Sequence, residues 1–181
     1  MAKFDAERTK REAKIRFDDL TKLLQTDEYV DFLKRVFPGY KSTPAEILKA
    51  NIADFMLYVA KADGEISEYE AKTILYIASW NISLDNLRDF ASKHDIFESE
   101  KTEAVTFQMV CAIENQWARV GSDDNGLVRM AVKLFDIVAQ LAIRKDGKVN
   151  RDAKKRANKY LKVNKTYVKK NVLCPSNKNL V

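Results

Sequence analysis

The most constraining feature of this chain is a short pattern that occurs twice, at residues 63–72 and at residues 146–155. Each copy begins with Asp-Gly and continues through an apolar residue to a polar residue that suits a helix start, Ser67 or Asn150. The apolar-periodic runs upstream of the two copies match in register, with Ile52, Phe55 and Val59 corresponding to Phe135, Val138 and Ala142. Such a repeat predicts a duplicated helix–tight turn–helix unit.

The rest of the chain indicates an all-α fold. The 181 residues include only five glycines and three prolines, which favours long helices joined by short loops, and strand signals are absent. Capping-box patterns at residues 43–46 (Thr-Pro-Ala-Glu) and 67–70 (Ser-Glu-Tyr-Glu) mark two helix starts. We therefore predict a compact bundle of about eight helices built on the two repeats.

The charge pattern and the repeats also suggest how the chain is divided. Residues 1–42 are predicted to form a charged N-terminal helical arm, residues 43–170 a helical domain, and residues 171–181 a flexible tail. Within the domain, the repeats span about residues 44–90 and 126–168. We predict that the last helix ends near residues 162–164, where the first repeat has its break at residues 81–83.

The Asp-Gly junctions have two interpretations. In the structural one, glycine turns the chain in the left-handed conformation, aspartate accepts backbone hydrogen bonds, and Ser67 or Asn150 caps the next helix. In the other, residues 63–70 resemble the second half of an EF-hand loop. The leading ligand positions of such a loop fall on Val59 and Lys61, so a self-contained EF-hand is excluded. A weaker divalent-cation site shared between the repeats remains open.

The pattern Ala-Asp-Gly-Glu-Ile-Ser-x-x-Glu between two helices, at residues 62–70, resembles the TerB-like family, named for tellurite-resistance protein B. The match is close over residues 44–90 and weaker over 126–163. The resemblance implies a non-enzymatic binding or scaffold module, associated with stress response or membrane assemblies, that binds calcium or another divalent cation. The positions that match the family are Asp63, Glu70 and Asp146, with Asp123 and Asp124 as further candidates. Ala153 stands where a second-repeat carboxylate is expected.

Charge is distributed unevenly along the chain. Residues 141–181 contain thirteen Lys or Arg and two Asp or Glu, a net charge of +11, so the preceding residues carry −5 of the total of +6. On a helix after residue 150, an outward band of cations is predicted, which would suit an anionic partner. Its members are Lys154, Lys155, Arg156, Lys159 and Lys162, joined by Lys165, Lys169 and Lys170. The partner is expected to be another protein or an anionic surface, with nucleic acid as the alternative.

The sequence favours a protein that is not an enzyme. His94 is the only histidine, and Cys111 and Cys174 are isolated, so metal hydrolysis and Cys/His chemistry have no centre. No glycine-rich loop is present to hold a phosphate. With no apolar signal core, no transmembrane run and two isolated thiols, we expect a cytoplasmic protein. The oligomeric state is not indicated.

Overall fold

The structure, a computed structural model, describes residues 4–39, 41–93, 103–119, 126–145 and 148–173. Within these ranges, a 3-10 turn at Lys61–Asp63 follows the helix that ends at Ala60, and a two-residue antiparallel ladder joins β1 (Arg144–Lys145) to β2 (Lys148–Val149). The all-α class and the predicted number of helices are confirmed for these residues. The eight helices are α1 (Ala6–Leu24), α2 (Asp27–Val36), α3 (Pro44–Ala60), α4 (Glu68–Ile77), α5 (Leu84–Lys93), α6 (Val105–Arg119), α7 (Leu127–Ala142) and α8 (Arg151–Asn171).

Local hydrogen bonds explain where two of the helices begin. At the start of α3, Thr43 Oγ1 accepts the Glu46 N–H at 3.3 Å, and Glu46 Oε2 accepts the Thr43 N–H at 2.7 Å. Pro44 occupies the first turn, where its missing N–H costs no helical hydrogen bond. This capping box was predicted from the sequence, as was the second one, which starts α4.

Helix α3 forms the centre of the core. Eleven of its seventeen residues are buried, because it contacts α1, α2, α4, α6, α7 and α8. The ring of Phe55 in α3 lies 5.6 Å from the ring of Phe135 in α7 and 4.5 Å from the ring of Tyr160 in α8. These contacts join the helices that the sequence assigns to the two repeats.

Helix α1 is packed into the same core. Ala13, Phe17, Leu20 and Leu24 follow the spacing of one helical face, and all four are buried. They belong to the hydrophobic cluster that includes α3, and α1 packs against α7, α3 and α4. The description of residues 1–42 as a separate arm is therefore not confirmed.

Helix α8 continues past the break that we predicted near residues 162–164, and that prediction was wrong. Asn164 is fully buried in the middle of the helix. Its Oδ1 accepts the N–H of Ala104 at 2.8 Å, and its Nδ2 donates to the carbonyl of Tyr160 at 3.0 Å. The side chain that suggested a helix end is instead satisfied by a residue 60 positions away, so the helix is not interrupted.

Two local features add to the predicted fold. The sequence has no strand signal, and the extended structure at the second junction is a ladder of two residue pairs, Arg144 with Val149 and Lys145 with Lys148. The first two residues of the predicted tail belong to the described structure, since Asn171 ends α8 and Val172 is 2% exposed. Residues 174–181 lie outside the described residues.

If α1 belongs to the core, a substitution in its buried face destabilises the whole protein. Phe17→Ala is expected to lower the free energy of unfolding by about 3–5 kcal/mol, because it removes a buried ring and leaves a cavity. Ile15→Ala on the same helix is the control: Ile15 is 61% exposed, and its loss is expected to cost less than about 0.5 kcal/mol. Chemical denaturation measures both. Equal small effects would mean that α1 is a separable arm after all.

Candidate functional site

The first Asp-Gly junction is a tight turn that requires glycine. After α3 the chain makes one 3-10 turn, in which the Gly64 N–H donates to the carbonyl of Lys61 at 3.2 Å. Gly64 has a φ of +94°, in the left-handed region that favours glycine. Apart from the two adjoining residues, no described atom lies within 4 Å of where a Cβ would stand, so conformation rather than space selects glycine here.

Glu70 serves as the second half of a capping box. Its Oε2 accepts the N–H of Ser67 at 2.8 Å and the hydroxyl of Ser67 at 2.7 Å, while its own N–H donates to Ser67 Oγ at 3.2 Å. The residue is only 8% exposed. One of the three predicted cation ligands is therefore already engaged in starting α4.

The second junction is capped differently and touches the first. Asn150 Oδ1 accepts the N–H groups of Asp152 and Ala153 at 3.0 and 3.1 Å, which caps α8. Its Nδ2 donates to Asp63 Oδ2 at 3.5 Å. This contact joins Asp63 of the first junction to the residue that caps α8, and it links residues 87 positions apart that sequence reasoning treated separately.

The predicted cation site stays a prediction. Asp146, Asp123 and Asp124 lie outside the described residues, so the set with Asp63 and Glu70 is not tested. Within the ranges that the structure describes, no group of three or more His, Cys, Asp or Glu side chains is arranged to hold a metal ion.

Helix α8 presents a cationic face, which we call the α8 ridge. Ala153, Ala157, Tyr160 and Val168 are buried, Leu161, Val163 and Tyr167 are half-buried, and the exposed side carries cations. Asp152 is the only acidic residue in the helix. The exposed cations of the ridge are Arg151, Lys154, Lys155, Lys159, Lys162, Lys169 and Lys170.

Two cations of the predicted band, Arg156 and Lys165, do not belong to the exposed ridge. Arg156 is half-buried: its guanidinium donates to the carbonyl of Tyr58 at 3.0 Å and lies 5.3 Å from the centre of that ring. Lys165 is also half-buried and forms an ion pair with Asp136 at 3.0 Å. Arg156 thus connects α8 to α3, and Lys165 connects it to α7. Arg151 was not part of the predicted band, but it is exposed and belongs to the ridge.

The buried cysteine does not provide a nucleophile. Cys111 is 1% exposed, and burial, with a smaller contribution from the Glu114 carboxylate, raises the pKa of its thiol to about 12. The reactive thiolate is therefore scarce at neutral pH. His94 and Cys174 lie outside the described residues.

Comparison with known proteins produced no relative: the chain matches no protein-family model, no curated sequence and no solved structure. The TerB-like resemblance accordingly remains a prediction from residues 62–70. Among the described helices, none is long and apolar enough to cross a membrane.

The capping role of Glu70 predicts the result of its removal. Glu70→Ala is expected to lower the free energy of unfolding by about 1–3 kcal/mol, because it leaves the Ser67 N–H without its acceptor in a partly buried site. Glu46→Ala removes the equivalent bond at the exposed start of α3 and is expected to cost less. Urea denaturation in EDTA compares the two variants. A more stable Glu70→Ala protein would contradict the capping role and point to a strained carboxylate.

Proposed function

We propose that this protein is a non-enzymatic binding module that uses the α8 ridge to dock on the phosphate backbone of a double-stranded nucleic acid. The observation that supports this is the concentration of seven exposed cations on one side of an uninterrupted 21-residue helix. Each Lys or Arg that neutralises a phosphate releases a condensed counterion, which drives binding without any need for base recognition.

The geometry of the ridge favours a concave polyanion over a flat one. At 100° per residue the exposed cations spread over about 160° around the helix, and from Arg151 to Lys170 they extend for about 28 Å. A planar anionic surface contacts only the crest of such a helix. A nucleic-acid groove has phosphates on both walls and is wide enough in B-DNA to admit a helix, so cations on the flanks also find partners.

The burial of the apolar face of α8 also argues against a membrane surface as the partner. An interfacial membrane helix inserts its apolar side between lipid headgroups. In α8 that side packs against α3, α6 and α7, and its residues Ala157 and Tyr160 are buried in the core. Binding by the ridge is therefore electrostatic, with no hydrophobic insertion.

The test is duplex binding as a function of salt. If the ridge contacts about five phosphates, the plot of log Kobs against log salt concentration has a slope of about −4 to −5 for a random-sequence DNA duplex. Lys154→Ala/Lys155→Ala/Lys162→Ala is expected to weaken binding at least tenfold and to reduce the magnitude of the slope by about 3. Fluorescence anisotropy from 50 to 200 mM salt measures both quantities.

A matched control distinguishes binding by the ridge from a general effect of the net charge of the protein. Lys22→Ala/Lys34→Ala/Lys41→Ala removes the same charge from exposed positions outside α8 and is expected to keep most of the affinity. Equal losses in both triple variants would contradict a defined ridge. Tighter binding to vesicles rich in anionic lipid than to the duplex would replace nucleic acid by a membrane surface as the partner.

We propose as a second candidate that the paired Asp-Gly junctions bind a divalent cation. The observation that favours it is the contact between Asp63 and Asn150, which places the Asp63 carboxylate beside the start of α8. Asn150 makes this contact through its amide N–H, since its oxygen caps α8, so Asp63 supplies the oxygen ligand; carboxylate oxygens suit calcium. The site would be weak, since Glu70 Oε2 already accepts two hydrogen bonds.

Calcium is then expected to raise the stability of the protein. For a Kd of roughly 1 mM, 10 mM calcium adds about 1.4 kcal/mol to the free energy of unfolding. Thermal unfolding in EDTA, and then with calcium, magnesium, manganese or zinc, measures the shift. Asp63→Asn/Glu70→Gln is expected to abolish it and Glu28→Gln/Asp31→Asn, on α2, to preserve it. No shift with any ion would leave the junctions as helix caps.

A further inference from the structure

A cavity lies where α2, the start of α3 and the start of α6 meet. It has a volume of about 70 Å³ and is partly open to solvent. Helix α2 contributes a stripe at helical spacing, α3 contributes its first turns through Pro44 and Ile47, and α6 contributes Val105 and Met109. This stripe consists of Val30 and Leu33 of α2 and continues to Phe37, the residue that follows the helix.

The walls of this cavity are apolar but incompletely covered. Val30, Phe37, Ile47 and Val105 are half-buried, although each is packed in a corner between helices. Side chains of this type normally gain free energy from full burial. An apolar concavity that leaves them partly open is the usual form of a site for an apolar group.

The mouth of the cavity is positively charged. Lys34 and Lys41 line it, both exposed, and the described lining contains no carboxylate. Two carboxylates lie beside this mouth: Asp31 is 3.8 Å from Lys34 in an exposed ion pair, and Glu46 accepts from the N–H of Thr43, which also lines the cavity. An exposed ion pair is worth at most about 1 kcal/mol, so a ligand carboxylate can compete with Asp31 for Lys34. The N-terminal ends of α3 and α6 also line the cavity, and their dipoles favour an anion.

We propose that this cavity binds a medium-chain fatty carboxylate, with the end of the chain among Leu33, Ile47 and Met109 and the carboxylate beside Lys34 and Lys41. Apolar walls and a cationic mouth call for a ligand that is aliphatic at one end and anionic at the other. The enclosed volume is about half that of the roughly 150 Å³ cavity that accepts benzene, so it holds the end of an aliphatic chain rather than a ring.

This proposal is independent of duplex binding. The cavity is formed by α2, α3 and α6 and the loop before α3, and none of its lining residues belongs to α8. Loss of one activity therefore leaves the other to be measured in the same variant.

Isothermal titration of the full chain with hexanoate, octanoate and decanoate, each below its micelle concentration, tests the proposal. Affinity is expected to rise by up to about fourfold for each methylene that enters the cavity and to level off when the cavity is full. Decanol, with no charge, is expected to bind about fivefold more weakly than decanoate, and Lys34→Ala/Lys41→Ala to lose a similar factor. Lys154→Ala/Lys155→Ala, on the ridge, is the control and is expected to bind decanoate normally.

A second set of measurements locates the ligand. Val105→Phe fills the cavity and is expected to abolish decanoate binding, after thermal unfolding shows that the variant is folded. In the unsubstituted protein, decanoate is expected to shift the NMR methyl signals of Val30, Leu33, Ile47 and Met109. This measurement does not require that a substituted protein folds. Binding that is equal for decanol and decanoate, that persists in folded Val105→Phe, or that shifts other methyl groups instead would overturn the proposal.

Discussion

The burial of α3 on nearly all sides is the constraint on which the other helices depend. Over residues 52–60 every side chain of α3 except Asp54 is buried, so this part of the helix requires neighbours all round, and α1, α2, α4, α6, α7 and α8 pack against α3. The stacked rings of Phe55 and Tyr160 set α8 against α3, and this contact turns the lysines of α8 to the outside. The α8 ridge is thus a consequence of how the core is filled.

The parts of the fold that sequence analysis predicted are those decided by neighbouring residues. A capping box involves positions three apart, so the starts of α3 and α4 could be located from Thr43, Glu46, Ser67 and Glu70 alone. The continuation of α8 depends instead on Asn164 meeting Ala104, a contact between distant positions. Local propensity does not depend on such a distant partner, and a prediction based on it therefore placed the end of α8 too early.

The candidate sites follow the same division. Lysine at helical spacing on the face opposite an apolar stripe predicts exposure, which holds for Lys154, Lys155, Lys159 and Lys162. Arg156 differs because a carbonyl and a ring on α3 lie within its reach, which no helical pattern could indicate. The cavity could not be predicted at all, since it is the space left between three helices.

The two junctions show how one structural problem is solved in two ways. At the first, Ser67 and Glu70 together cap α4, because the side chain of each accepts the backbone N–H of the other. At the second, one amide oxygen of Asn150 accepts two N–H groups, so the position equivalent to Glu70 needs no carboxylate and holds the buried Ala153. An acidic residue is thus not required to start the helix, and at Glu70 any cation that binds Oε2 has to displace two hydrogen bonds. Capping and cation binding at this residue are therefore competing uses of the same oxygen.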